Sequence, residues 1–146
     1  MTNIRLDSPT LVALTISPAS PDAPEQYDLT FFPMNNDRDY DGRIPGIAAS
    51  LALTMPDQGW VLGAVTQIYL LADDPTPHDS ENINEWANSV VNVYGKQVAS
   101  LLWDLATSSL RSTAGLMKFL PIKVPDNPRQ DIRFKVVPVD EVEGPQ

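Results

Sequence analysis

The chain has 146 residues, of which 42% are hydrophobic, so it has the length of one domain and needs no disulfide or structural metal to bury a core. Its 19 acidic and 10 basic residues give a net charge of −9, which disfavours nucleic acids and anionic membranes as partners because binding to both depends on Lys and Arg. The absence of Cys excludes thiol catalysis and Cys-ligated zinc, and a single His excludes metal sites built from a His pair.

Residues 4–72 are predicted to form strands and turns. Residues 10–17 are rich in β-branched and apolar side chains, which is typical of a strand. Residues 27–32 alternate between a face with Tyr, Leu and Phe and a face that is polar except for Phe32. Pro33 is expected to end that strand.

An antiparallel hairpin is predicted for residues 47–55 and 60–71, which the turn Pro56-Asp57-Gln58-Gly59 separates. The second strand is apolar on both faces, whereas a sheet that packs on a helix needs only one apolar face. The surplus face must then be covered by another layer, a second subunit or a bound client. Residues 61–72 are too short an apolar run to cross a membrane, so we expect a soluble, cytoplasmic protein without a targeting segment.

A long amphipathic helix is predicted after a polar loop, residues 73–84. Asn82 and Glu85 have the spacing of an N-cap and a first-turn acid, and Gly115 suits the C-terminal cap. Gly95 allows a kink or a break in between. Apolar residues recur at helical spacing between these ends: Trp86, Val90, Val93, Tyr94, Val98, Leu101, Leu102 and Leu105.

The rest of the chain is predicted to be extended. Residues 116–124 precede a Pro-containing loop, and residues 131–139 alternate apolar and basic side chains. The latter segment is expected to be an edge strand because Pro138 cannot occupy a central one. Residues 140–146 are expected to be a disordered tail, which leaves residues 1–139 as one domain.

No motif in the sequence predicts catalysis, so we expect neither an enzyme nor a bound cofactor or metal. Residues 37–42 match the first ligand positions of an EF-hand loop, but Ala48 stands where that loop needs a bidentate Glu. A solvated acidic turn is the preferred interpretation, and cation binding stays an alternative for Asp37, Asp39 and Asp41. His78 lies in a polar loop without a partner at a catalytic spacing.

Several short segments have a familiar order along the chain: Tyr27-Asp28-Leu29 with Phe32-Pro33, residues 101–106, residues 108–115 and residues 119–124. In this order they resemble the SecB-like chaperones, both the export chaperones and those that partner toxin–antitoxin systems. The helix here lacks the family's Pro and the Arg that follows it, and residues 131–139 stand in place of its C-terminal lid helix.

The resemblance implies an α+β fold in which a four-stranded antiparallel sheet precedes a long amphipathic helix, here with an extended C-terminal strand. It also implies a homotetramer, a dimer of dimers, that holds unfolded polypeptide or a dedicated client such as an antitoxin in apolar grooves without ATP, with a translocase as a further partner. Excess apolar character selects these candidates for the groove: Phe31, Phe32, Met34, Trp60, Leu62, Leu102 and Trp103.

Two other interpretations remain open. A phage or mobile-element assembly protein would use the same apolar face for permanent oligomerisation. A small hydrolase or ligand-binding protein would use scattered carboxylates that the sequence does not pair. Whether the C-terminal strand stays on its own subunit or crosses to another is likewise open.

Overall fold

The computed structural model describes one sheet and one long helix, in residues 4–18, 25–37, 43–57, 59–72, 80–116 and 132–138. The helix, α1 (Ser80–Leu116), lies between the fifth and sixth strands in sequence. The strands are β1 (Ile4–Leu6), β2 (Thr10–Pro18), β3 (Gln26–Asp37), β4 (Arg43–Asp57), β5 (Trp60–Ala72) and β6 (Arg133–Val136).

The sheet has the order β1-β5-β4-β3-β6, and β2 pairs with β5 on the same side as β1. β1 and β2 thus form one interrupted edge strand that is antiparallel to β5, with an irregularity between Leu11 and Ala13. β3, β4 and β5 are antiparallel to their neighbours, whereas β6 is parallel to β3. The predicted α+β class is confirmed, but the predicted four antiparallel strands are wrong because the sheet has six strands and is mixed.

The predicted hairpin is present as β4 and β5. Asp57 pairs with Trp60 across the turn, and Gly59 has a φ of 85°, a conformation that glycine adopts without steric strain. The prediction that Pro33 ends the preceding strand is wrong, since β3 continues to Asp37. β6 pairs with residues 28–31 of β3. Pro33 lies beyond that pairing, so its lack of an N–H does not cost a hydrogen bond to β6.

α1 is one continuous helix of 37 residues. It begins before Asn82 and still includes Gly115, so the predicted cap positions are wrong. It also passes through Gly95 without the break that this glycine allows. One face of α1 packs on the sheet through residues spaced three or four apart. These buried residues are Ile83, Trp86, Ala87, Val90, Val98, Ala99, Leu102, Trp103, Ala106 and Leu110.

The core lies between α1 and one face of β3, β4 and β5. The Thr66 hydroxyl donates a buried hydrogen bond of 3.0 Å to the backbone carbonyl of Leu102, which joins the centre of the sheet to the helix. The Tyr27 and Trp103 rings contact each other with centroids 5.7 Å apart. The sheet face that points away from this core is called the open face below.

Among the described residues, no helix is long and apolar enough to cross a membrane. The predicted tail at residues 140–146, the segment 117–124 and the loop with His78 lie outside the described residues.

Candidate functional site

On the open face, residues 46–54 of β4 carry only small side chains. They alternate with the larger, buried residues that β4 directs toward α1, because successive residues of a strand point to opposite faces. From Gly46 to Thr54 this row is about 27 Å long, at about 3.4 Å per residue. It consists of Gly46, Ala48, Ser50, Ala52 and Thr54.

Larger side chains on β3 and β5 stand on either side of residues 46–52 of this row, whereas Thr54 has Gly63 beside it on β5. Phe32 pairs with Ala48, and Ala48 pairs with Tyr69, so two aromatic residues flank a methyl group across three strands. Phe32 and Tyr69 are each 40% exposed. Since neighbouring strands lie about 4.8 Å apart, β3 and β5 are separated by about 10 Å here. Small residues between larger ones form a shallow trough, called the β4 groove below.

The β4 groove is apolar at one end and polar at the other. Beyond the aromatic pair, Met34 and Leu71 flank Gly46, but Gly46 and Leu71 are buried within the chain, so Met34 is the residue that a ligand can reach there. In the other direction Thr30 and Gln67 flank Ser50. A segment that binds along the groove would therefore place apolar side chains near the aromatic pair and polar groups toward Ser50.

A hydrogen bond fixes the polar group of Tyr69. The Gln67 side-chain amide donates to the Tyr69 hydroxyl oxygen over 3.0 Å. The phenol oxygen thus has a partner within the chain, and the aromatic ring remains free to contact an apolar ligand.

At its polar end the β4 groove meets β6. The Arg133 side-chain Nε donates to a carboxylate oxygen of Asp28 over 3.1 Å, and Asp28 also accepts from the Gln26 side-chain amide. A cavity of about 420 Å³ lies along this edge and is lined by Asp28, Thr30, Arg133, Phe134 and Lys135.

The structure separates the predicted groove residues into two groups. Phe31, Leu62, Leu102 and Trp103 are fully buried between the sheet and α1, so they belong to the core and a client cannot reach them in this structure. The alternation of the strands explains the difference for Phe31 and Phe32, which are neighbours in sequence but point to opposite faces.

The remaining three candidates are accessible. Phe32 is exposed and Met34 is half-buried, and both lie on the wall of the β4 groove. Trp60 is half-buried at the start of β5, on the face that carries Leu62, and so lies outside the groove. Tyr69 was not among the groove residues predicted from the sequence. The signal that could have selected it is that its strand is apolar on both faces.

Within the residues that the structure describes, no group of three His, Asp or Glu residues could hold a metal ion. Asp39 and Asp41 of the EF-hand-like loop lie outside those residues, and so does His78. The cation alternative for that loop therefore stays a prediction.

Comparison with protein-family models and with curated proteins finds no match. Among solved structures, the chain is similar to a protein of unknown function from Streptococcus agalactiae, with 12% identity over 74% of this chain and 93% of that chain and a TM-score of 0.38. It is also similar to a Mycobacterium tuberculosis SecB-like chaperone solved with a ChAD peptide from an antitoxin, with 15% identity over 84% of this chain and 88% of that chain and a TM-score of 0.38. Similarity of this degree decides nothing about what this chain binds.

Proposed function

We propose that this protein is an ATP-independent chaperone that holds an extended apolar client segment in the β4 groove. The observation that carries the proposal is the row formed by Phe32, Ala48 and Tyr69. It leaves two aromatic side chains 40% exposed on the sheet face that points away from α1. Burial of apolar surface contributes roughly 25 cal/mol per Å², so a client that covers both rings would be stabilised without any bond chemistry.

The shape of the groove suits an extended chain of variable sequence. The half-buried small residues Ser50, Ala52 and Thr54 let a client backbone approach closely, and the aromatic walls contact its apolar side chains. Met34 adds a flexible side chain that repacks around different partners, which favours a broad choice of clients. In this proposal the groove is a holding site and the chain is not an enzyme.

The charge of the chain is compatible with this role. A net charge of −9 keeps a complex with an apolar client in solution and attracts basic segments of clients or of a translocase. The proposal includes cytoplasmic location and the homotetramer that the SecB-like resemblance implies. Both general clients and a dedicated client such as an antitoxin fit a groove of this kind.

The test removes both aromatic walls. We expect the double variant Phe32→Ser/Tyr69→Ser to keep its circular dichroism spectrum but to bind client about tenfold more weakly or worse, because each lost ring removes an exposed apolar contact. The measurement is suppression of the aggregation of an unrelated denatured protein, without nucleotide. Val93→Ser is the matched control, since Val93 is 64% exposed on α1.

Equal suppression by the double variant and the control would refute the proposal. So would a wild-type chain that suppresses no aggregation and forms one fixed, large complex by native mass. The latter result would support the assembly-protein alternative, in which the same apolar face is permanently covered.

A further inference from the structure

A second binding feature lies at the edge of the sheet, where β6 is added to β3. We propose that the β3 edge, together with a notch in α1 at Gly95, is a binding site for an extended peptide with an aromatic residue between basic ones. We further propose that β6 is a displaceable occupant of this site. The site is distinct from the β4 groove and does not rest on the proposed holding activity, because a permanent partner could use it equally well.

The outer edge of β3 has backbone groups that form hydrogen bonds with an added strand. Residues 28–31 of β3 pair in parallel with residues 133–136 of β6. The Val137 amide then donates to the Phe31 carbonyl over 2.9 Å. Such backbone bonds give affinity without depending on sequence, whereas pockets for alternate side chains supply the specificity.

The pocket for one side chain is built by a glycine. Gly95 is buried in the middle of α1, and a Cβ at this position would lie 3.0 Å from Cε2 of Phe134. The Phe134 ring also meets the Phe31 ring edge-on, with centroids 6.1 Å apart. A helix interior disfavours Gly by about 1 kcal/mol relative to Ala, so its presence here is explained by the space that it leaves for an aromatic ring.

The attachment of β6 is slight in comparison with the rest of the sheet. Its pairing covers four residues, whereas β3 pairs with β4 over the whole range 26–37. Phe134 remains 43% exposed, and the side chain of its ion-paired neighbour Arg133 is 75% exposed. Segments with few buried contacts open without unfolding of the whole domain, so β6 can leave while the core persists.

The charges indicate which peptides fit. Arg133 and Lys135 flank Phe134, and Asp28 binds the Arg133 side chain at the β3 edge. In a chain with a net charge of −9, a ligand with basic residues on both sides of an aromatic one is electrostatically favoured. The ion pair is exposed, so it contributes selectivity more than affinity.

The test supplies β6 as a separate peptide, residues 132–138 (IRFKVVP), labelled for fluorescence anisotropy and mixed with the full-length chain. In the wild type the attached β6 competes with the peptide. Phe134→Ala vacates the notch. We expect the peptide to bind that variant about tenfold more tightly, because the state in which β6 has left the β3 edge is more populated. Leu101→Ala, which trims a similarly exposed apolar residue of α1, is the matched control and leaves affinity unchanged.

A second change shows whether the notch is the reason. Adding Gly95→Ala to Phe134→Ala places a methyl about 3.0 Å from the position of the ring, closer than an ordinary contact, so we expect most of the gain in affinity to be lost. A peptide with Ala in place of its Phe shows no gain with either variant. Equal binding of the Phe-containing peptide to the single and double variants, or no tighter binding to Phe134→Ala than to wild type, overturns the proposal.

Two further measurements use the unmodified chain and do not depend on variants. Hydrogen exchange of the β6 amides is expected to be at least about tenfold faster than exchange of the β4 amides, because β6 opens locally. Equal protection of the two strands overturns displacement. A concentration-dependent dimer that the peptide dissociates identifies a second copy as the occupant and overturns the assignment of β6 to its own chain.

Because aggregation suppression depends on Phe32 and Tyr69 and peptide capture depends on Gly95 and Phe134, either proposal can fail while the other holds.

Discussion

Phe31 and Phe32 show how one position of sequence decides the role of a side chain. Phe31 is fully buried against the core, whereas Phe32 is 40% exposed on the open face. We expect Phe31→Ala to lower the free energy of unfolding by about 3–5 kcal/mol, because a buried ring is replaced by a cavity. Phe32→Ala is expected to cost about 1 kcal/mol or less. Urea denaturation of the two variants measures the difference.

The two substitutions are chemically identical and adjacent, so each is the control for the other. Similar losses of stability for both would contradict the assigned orientation of β3. A drop in aggregation suppression for Phe32→Ala alone, at nearly unchanged stability, would agree with the β4 groove.

The orientation of single residues was predictable where a strand alternates. The pattern of residues 27–32 places Tyr27, Leu29 and Phe31 on one face, and the structure confirms this. The burial of Trp103 was not predictable in the same way, because it depends on the contact with Tyr27, 76 positions earlier in the chain by residue number. Sequence periodicity identifies an apolar stripe on a helix, but it does not say whether that stripe meets the sheet of the same chain or a partner.

At the scale of elements, the turn between β4 and β5 is the most local feature of the fold. Gly59 has a φ of 85°, and no atom lies within 4 Å of the Cβ that a substitution would add. We therefore expect Gly59→Ala to destabilise the protein by about 1 kcal/mol through backbone strain alone. Thermal unfolding followed by circular dichroism measures the effect.

Gly59→Asn is the matched variant for this turn. Asn tolerates positive φ better than Ala, so it should restore part of the lost stability. If Ala and Asn have the same effect, strain at Gly59 is not the cause.

Elements with local signals were predicted well, and those with distant partners were not. The hairpin and α1 were identified from turn residues and helical spacing within short windows. The pairing of β6 with β3 joins Asp28 to Arg133, and no local pattern encodes such a contact. From the sequence, Gly95 looked only like a weak point of α1. The residue that fills the space beside it, Phe134, lies in another element, so a local pattern does not reveal the contact.

For the whole molecule, the edge formed by β1 and β2 is a described surface that is suited to self-association. Among the described strands, β2 has β5 as its partner on one side, and Leu6, Leu11 and Val12 are exposed along this edge. Unpaired strand edges add to one another unless a charge or an irregularity prevents it. The irregularity at Val12 partly protects this edge from pairing with a second copy, whereas the exposed apolar side chains favour such pairing.

We expect Val12→Lys to reduce the native mass of the proposed homotetramer, because a charge on a strand edge blocks pairing with a second copy. Native mass spectrometry at several protein concentrations measures the change. Val93→Lys places the same charge on α1 and should leave the mass as it is. An unchanged mass for Val12→Lys would exclude this edge from the interface.

The order of the elements along the chain has a consequence for biosynthesis. β6 follows the other described strands and α1 in sequence, so it is the last of them to leave the ribosome. Until residues 133–136 have emerged, the outer edge of β3 has no strand beside it, and a neighbouring nascent polypeptide can pair with that edge first.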